Sequence, residues 1–245
     1  DHCDGTAPGA ADPPGDPLTE EQRAAARLPR FNRLGLISGG PGTGKTHTIA
    51  HAMALIRQAQ PSANIVLLAP TGKAVARLKQ SLHRFWSDGS ASRHDNFESW
   101  NPPAQTVHRF LREMDRNSRR SLLPRPAATP DYVLVDEASM LDLSLLDRLL
   151  SALDEHANLT LIGDADQLAS VQPGSVFADV FKVCEGPGEI HSASVNLTTG
   201  FRFKDTSILG ALNQAIRKGN IDEVARVLES GDPSARHYRP DDPVA

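Results

Sequence analysis

Cysteine is almost absent: Cys3 and Cys184 are the only two among 245 residues. One pair cannot supply a disulfide framework, its spacing fits no zinc site, and a reducing compartment suits such a chain. No apolar run approaches the roughly 18 residues that a membrane-spanning helix needs, and the first residues lack the basic-then-apolar pattern of a secretion signal. The chain is therefore expected to be cytoplasmic, without membrane contact. The nine histidines form no H-E-x-x-H or comparable cluster, so no protein-held metal centre is indicated. Basic charge is short as well, with 26 Lys and Arg against 30 Asp and Glu and a net charge of −4. Taken whole, that balance argues against a nucleic-acid partner. Residues 70–130, however, hold 11 Lys and Arg against 5 Asp and Glu. A basic segment on an acidic body can meet phosphates, and it can equally be a solvated loop.

What is present has a clear order. Residues 1–17, crowded with Pro, Gly, Ala and Asp, cannot fill a core and read as a disordered linker or the remnant of a longer chain. From residue 18 to about 230, short apolar runs alternate with amphipathic stretches of helical length, the pattern of a doubly wound, mostly parallel sheet with helices on both faces. Strands are expected at 34–38, 64–69, 132–135, 159–163 and 194–197. Helices are expected at 45–59, 72–84, 106–114, 142–154, 174–183, 206–218 and 221–229, with Pro61, Asp142 and Gly219-Asn220 as boundary signals. Two polar stretches, 86–105 and 115–130, read as surface excursions. Residues 231–245 read as a tail.

Residues 39–46, GGPGTGKT, match G-x-x-x-x-G-K-[ST] between an apolar strand and a helix. Gly39, Gly40, Gly42 and Gly44 allow backbone angles and close approaches that other residues resist, and the helix start adds its positive dipole end. With Pro41, Thr43 and His47 they form the expected cradle for ATP. Lys45 is placed to reach the β- and γ-phosphates, and the Thr46 hydroxyl to hold Mg²⁺. A second part of such a site is a carboxylate ending another strand. Asp136 follows YVLV directly and suits Mg²⁺, while Glu137 beside it can orient or deprotonate water.

Around these two elements the sequence resembles the RecD family of superfamily 1B DNA helicases, from about residue 18 to about 230. Residues 36–48 (LISGGPGTGKTHT) are similar to motif I, 68–78 (LAPTGKAVARL) to motif Ia and 106–111 (TVHRFL) to motif Ib. Residues 133–140 (VLVDEASM), 162–171 (IGDADQLASV) and 197–203 (LTTGFRF) are similar to motifs II, III and IV. The resemblance implies the first RecA-like motor domain of a 5′→3′ DNA helicase, the alpha subunit of exodeoxyribonuclease V, working in recombinational DNA repair. It implies an adenine-reading role for Gln22, a γ-phosphate role for Gln167 between nucleotide and DNA, and a γ-phosphate contact for Arg202. It also implies single-stranded DNA contacts from Thr71, Lys73, Thr106 and His108. Trp86, Phe97 and Trp100 can stack on bases or anchor packing.

Nothing after Phe203 resembles motifs V and VI, which in this family come from a second motor domain, and no region matches the domain that docks RecD on its helicase and nuclease partner subunits. This piece alone is therefore expected to bind nucleotide and turn it over slowly. Two other readings share some of the same features: the helicase part of a conjugative relaxase, and a P-loop nucleotide kinase or switch in which residues 70–130 meet a small acceptor or a protein.

Overall fold

The computed structural model describes residues 18–87, 102–120, 129–167, 176–185, 193–200, 208–217 and 219–230. Among the described residues, six parallel strands form one sheet in the order β3-β2-β4-β5-β1-β6. They are β1 (Leu34–Gly39), β2 (Ile65–Ala69), β3 (Ala104–Thr106), β4 (Tyr132–Val135), β5 (Asn158–Gly163) and β6 (Ser194–Leu197). Eight helices among the described residues accompany them: α1 (Glu20–Phe31), α2 (Lys45–Ala59), α3 (Gly72–Ser87), α4 (Val107–Arg120), α5 (Leu143–Ala152), α6 (Val176–Glu185), α7 (Ile208–Arg217) and α8 (Ile221–Glu229). No helix among the described residues is long and apolar enough to cross a membrane.

The strands are apolar at successive positions because both faces of the sheet are covered. Side chains alternate between the faces with period two. Leu36, Val66, Leu68, Val133, Val135, Leu159 and Leu161 pack in one core with Val107 and Phe110 of α4, Leu146 and Leu149 of α5, and Phe177 and Phe181 of α6. Their neighbours Ile37, Ile65, Leu67, Leu134 and Ile162 point the other way, against Leu28 of α1, Ile49, Met53 and Ile56 of α2, and Leu78 and Leu82 of α3. Truncating one of these buried aliphatics to Ala would cost about 2–5 kcal/mol.

Three elements differ from the sequence expectation. Helix α1 falls where only a leading segment was read. It starts with a capping box, Thr19 accepting from the Gln22 N–H and Gln22 from the Thr19 N–H, which satisfies two otherwise orphaned donors. Its buried face is Gln22, Ala25, Ala26, Leu28 and Pro29. That face has helical spacing but is built mostly of small residues, and Pro29 in the last turn reads as a breaker. The edge strand β3 lies at the end of the expected 86–105 excursion, and α4 runs on through residues 115–120 of the second one. The part of each excursion between these elements, and the tail after 230, lie outside the described residues.

Candidate active site

In a parallel sheet of this kind every strand delivers its C-terminal end to the same edge, and ligands bind there. β1, β5 and β4 are neighbours. The loops that follow them therefore meet, and they line one cavity of about 500 Å³ with Lys45 and Thr46 after β1, Asp136 and Glu137 after β4, and Asp164 and Gln167 after β5. A stitch between Ser38 Oγ, as acceptor, and the Ala165 N–H (3.1 Å) holds two of those ends together.

The loop after β1 has the geometry of a phosphate cradle. Gly42 and Gly44 sit at φ 85° and 84°, the left-handed region. A Cβ on Gly39 would lie 2.5 Å from Thr43 Oγ1 and 2.9 Å from Leu197 Cβ, so only glycine fits. Thr43 Oγ1 donates to the Gly40 carbonyl at 2.9 Å and closes the loop. Gly44 caps α2 without any side-chain bond, which leaves the first N–H groups of the helix directed at the cavity. Lys45 Nζ donates to the carbonyls of Gly39 (2.5 Å) and Gly40 (3.1 Å). Pro41, Gly42, Gly44, Lys45, Thr46 and His47 line the cavity; Gly39, Gly40 and Thr43 support it from behind. His47 stands edge-on to His51 and Phe85, with ring centroids 4.6 and 4.9 Å away.

Opposite the loop, Asp136 is 9% exposed and accepts the Glu137 N–H at 3.0 Å. Burial pushes its carboxyl up to about 6, and the adjacent Glu137 charge adds to the rise; the Glu137 N–H, Lys45 and Arg77 pull the other way. A carboxylate kept from water that shares its cavity with the Thr46 hydroxyl is a donor set that suits a hard divalent cation. Glu137 has φ 54° and ψ 38°, the only non-glycine residue with positive φ among the described residues. Such a conformation costs on the order of 1–3 kcal/mol. It turns the chain sharply from β4 into the short 3₁₀ turn Ala138–Met140.

The third corner is held from inside. Ser139 Oγ donates to Gln167 Oε1 at 2.9 Å, and the Gln167 N–H to the Asp164 carbonyl at 3.2 Å. The bond to Ser139 leaves the Gln167 amide nitrogen as the donor turned to the cavity. Asp164, nearly buried, follows β5 as Asp136 follows β4. The sequence reading quoted it within IGDADQ but gave it no role, although a carboxylate directly after LTLIG is the same signal as one after YVLV. Ala74, Arg77 and Leu78 of α3 complete the wall.

The remaining residues singled out from the sequence lie elsewhere. Gln22 is 3% exposed rather than on an outer helix face, and its Nε2 donates to the Thr43 carbonyl at 3.2 Å. It braces the phosphate loop from behind, keeping one N–H and one lone pair uncommitted. Thr71 Oγ1 accepts the Ala74 N–H (3.2 Å) and Thr106 Oγ1 the Arg109 N–H (3.3 Å), so each caps the helix that follows. The pairing of Ala69 with Thr106 brings these two helix starts side by side on the sheet edge, where Lys73 and His108 are exposed. Trp86 packs against the α2–α3 side of the core, the anchor role of its two options. Arg202, Phe97 and Trp100 lie outside the described residues.

A family profile described as an AAA domain matches residues 17–233. The chain is 39% identical over 218 residues to "RecBCD enzyme subunit RecD" of Mycolicibacterium smegmatis, covering 86% of this chain and 38% of that protein. It is 30% identical over 240 residues to the protein of the same name from Haemophilus influenzae, covering 86% and 37%. To the "ATP-dependent RecD2 DNA helicase" of Deinococcus radiodurans it is 35% identical over 158 residues, 64% of this chain and 19% of that one. Among solved structures, the Pif1 helicase from Candida albicans superposes with a TM-score of 0.54 at 19% identity, over 88% of this chain and 47% of that one, a likeness of fold. The chain spans under two-fifths of the length of the curated relatives it matches.

Proposed function

The chain belongs to the AAA domain family, as a RecD-like P-loop motor domain, and from that premise we propose that it binds ATP with Mg²⁺ and drives a 5′→3′ DNA helicase. One observation carries the reading: three neighbouring strand ends bring a phosphate cradle, an acidic pair and a glutamine into one cavity.

In this reading Lys45 leaves the carbonyls of Gly39 and Gly40 for the β- and γ-phosphates, and Thr46 and Asp136 hold Mg²⁺. When bound, the ion would neutralise charge on the phosphate oxygens and order them. Glu137 takes a proton from water as its oxygen bonds to the γ-phosphorus. The bond from that phosphorus to the bridging oxygen breaks, leaving ADP and inorganic phosphate. Gln167 donates to the γ-phosphate and senses its departure, Gln22 reads the adenine edge, and Arg202 neutralises charge in the transition state. Thr71, Lys73, Thr106 and His108 line the single-stranded DNA track, after the two strands β2 and β3 that adjoin those of the cavity.

By its likeness to RecD, residues 18–230 form the first motor domain and residues 231–245 lead to a second that closes the nucleotide cleft. The full-length protein then works in the cytoplasm, in recombinational DNA repair, with helicase and nuclease partner subunits. The relatives give the kinase or switch reading no support. Titration with a fluorescent ATP analogue tests the core of the proposal. Lys45→Ala should weaken binding at least about a hundredfold, as expected for removing the main side-chain charge on the phosphates, and equal affinity in both proteins would remove the assignment.

A further inference from the structure

Helix α3 starts beside the proposed DNA track and runs back along the nucleotide cavity. Its residues Ala74, Arg77 and Leu78 line that cavity, and their spacing puts them on one helix face. Leu78 is buried in the core, which fixes the position of the backbone next to it. Ala74 is small and leaves space in front. Between them Arg77 is exposed, with no hydrogen bond or salt bridge to any described residue. The same cavity is lined by three carboxylates, Asp136, Glu137 and Asp164. A guanidinium facing carboxylates usually closes on one of them as a paired fork. Here it makes no such pair, yet it is close enough for its charge to favour the ionised form of Asp136.

We propose that Arg77 binds the terminal phosphate of the nucleotide, so that α3 distinguishes triphosphate from diphosphate. The assignment rests on the nucleotide reading above and adds a residue to it. The guanidinium supplies a planar, permanently charged fork that matches phosphate oxygens. It comes from α3, whereas Lys45 comes from the start of α2. Lys73 lies one turn earlier on the same helix and Thr71 caps its start, so engaging or releasing the phosphate shifts the element that begins at the track. Arg77 thereby gives motif Ia a nucleotide-facing end as well as a DNA-facing one.

The test uses the 245-residue chain with Arg77→Gln and Arg77→Lys. Fluorescent non-hydrolysable ATP and fluorescent ADP are titrated with Mg²⁺, and a labelled oligo-dT strand is titrated in parallel. Arg77→Gln should lose about ten- to a hundredfold in affinity for the ATP analogue, the usual worth of a charged hydrogen bond. Affinities for ADP and oligo-dT should stay within about twofold, and Arg77→Lys should recover part of the loss because charge returns without the fork. An unchanged ATP-to-ADP ratio in Arg77→Gln overturns the assignment, and so does an equal loss for both nucleotides. A loss confined to oligo-dT moves Arg77 to the track. If the parent chain binds neither nucleotide, the nucleotide reading itself fails and Arg77 with it.

Discussion

The loops after β1, β4 and β5 and the helix starts after β2 and β3 lie along one edge of one sheet, yet they use their polar groups in opposite ways. At the first three, conformational and electrostatic costs are left standing: Glu137 holds a left-handed backbone, Asp136 keeps a carboxyl out of water, and Gly44 begins α2 without a side-chain cap. At the last two, Thr71 and Thr106 spend their hydroxyls on the first turns of α3 and α4. The contrast separates a region that the fold tolerates for the sake of a ligand from one whose residues serve the fold without any ligand. Stability and activity should therefore respond in opposite senses on the two sides.

The largest expected effect is catalytic. Glu137→Gln in the full-length protein should slow hydrolysis by about 10²–10⁴-fold, the usual worth of a positioned base, while ATP affinity stays within about threefold. Single-turnover phosphate release measures it, and a wild-type rate would take Glu137 off the catalytic list.

Next in size is a gain in stability from losing a functional group. The Asp136 carboxyl titrates at about 6 in the fold against an ordinary 3.8, so folding disfavours its ionised form. The penalty is complete above pH 6, shrinks as pH falls through the range between those values, and is gone below it. Asp136→Asn keeps an oxygen for the Glu137 N–H and should stabilise the nucleotide-free protein at pH 7 by on the order of 2–3 kcal/mol. Denaturant melts at pH 7 and pH 4 check the sign: the gain should fade at the lower pH. A mutant no more stable than its parent at pH 7 would mean that the buried carboxylate costs the fold nothing.

The smallest effect belongs to the other region. Thr106→Ala and Thr71→Ala should each cost about 1 kcal/mol through the lost helix cap, with or without DNA. If thermal melts of both variants match the parent, the distinction between the two regions collapses, and the threonines are held there for the track alone.

Much of this architecture was legible because the signals were local. GGPGTGKT between an apolar run and a helical one specified the cradle, and the helix after it spans 45–59 as its periodicity and Pro61 predicted. YVLV is a strand at the same residues, 132–135, and Asp142 caps α5. What stayed hidden depended on tertiary contacts. The buried face of α1 carries its helical period mostly on small residues around Leu28 and ends at Pro29, a breaker signal, and Gln22 reveals its grip on Thr43 only once α1 packs on α2. Three-residue β3 has no apolar run and exists because β2 offers it an edge. Ser139 and Asp164 sat inside recognised blocks, but their roles follow from strand order rather than from spacing.

The sheet order also has a consequence for the chain as it leaves the ribosome. β1 is made early, yet both its neighbours come late: Leu34 pairs with Leu159 and Leu36 with Ser194. Well over a hundred residues must emerge before that strand has a partner on either side. Until then its apolar side chains and unpaired backbone edges are open to other strands and other chains, the period in which slow, long-range parallel pairing exposes a protein to aggregation. The loop proposed to hold phosphate is thus among the first parts of the domain to be synthesised and among the last to acquire its shape.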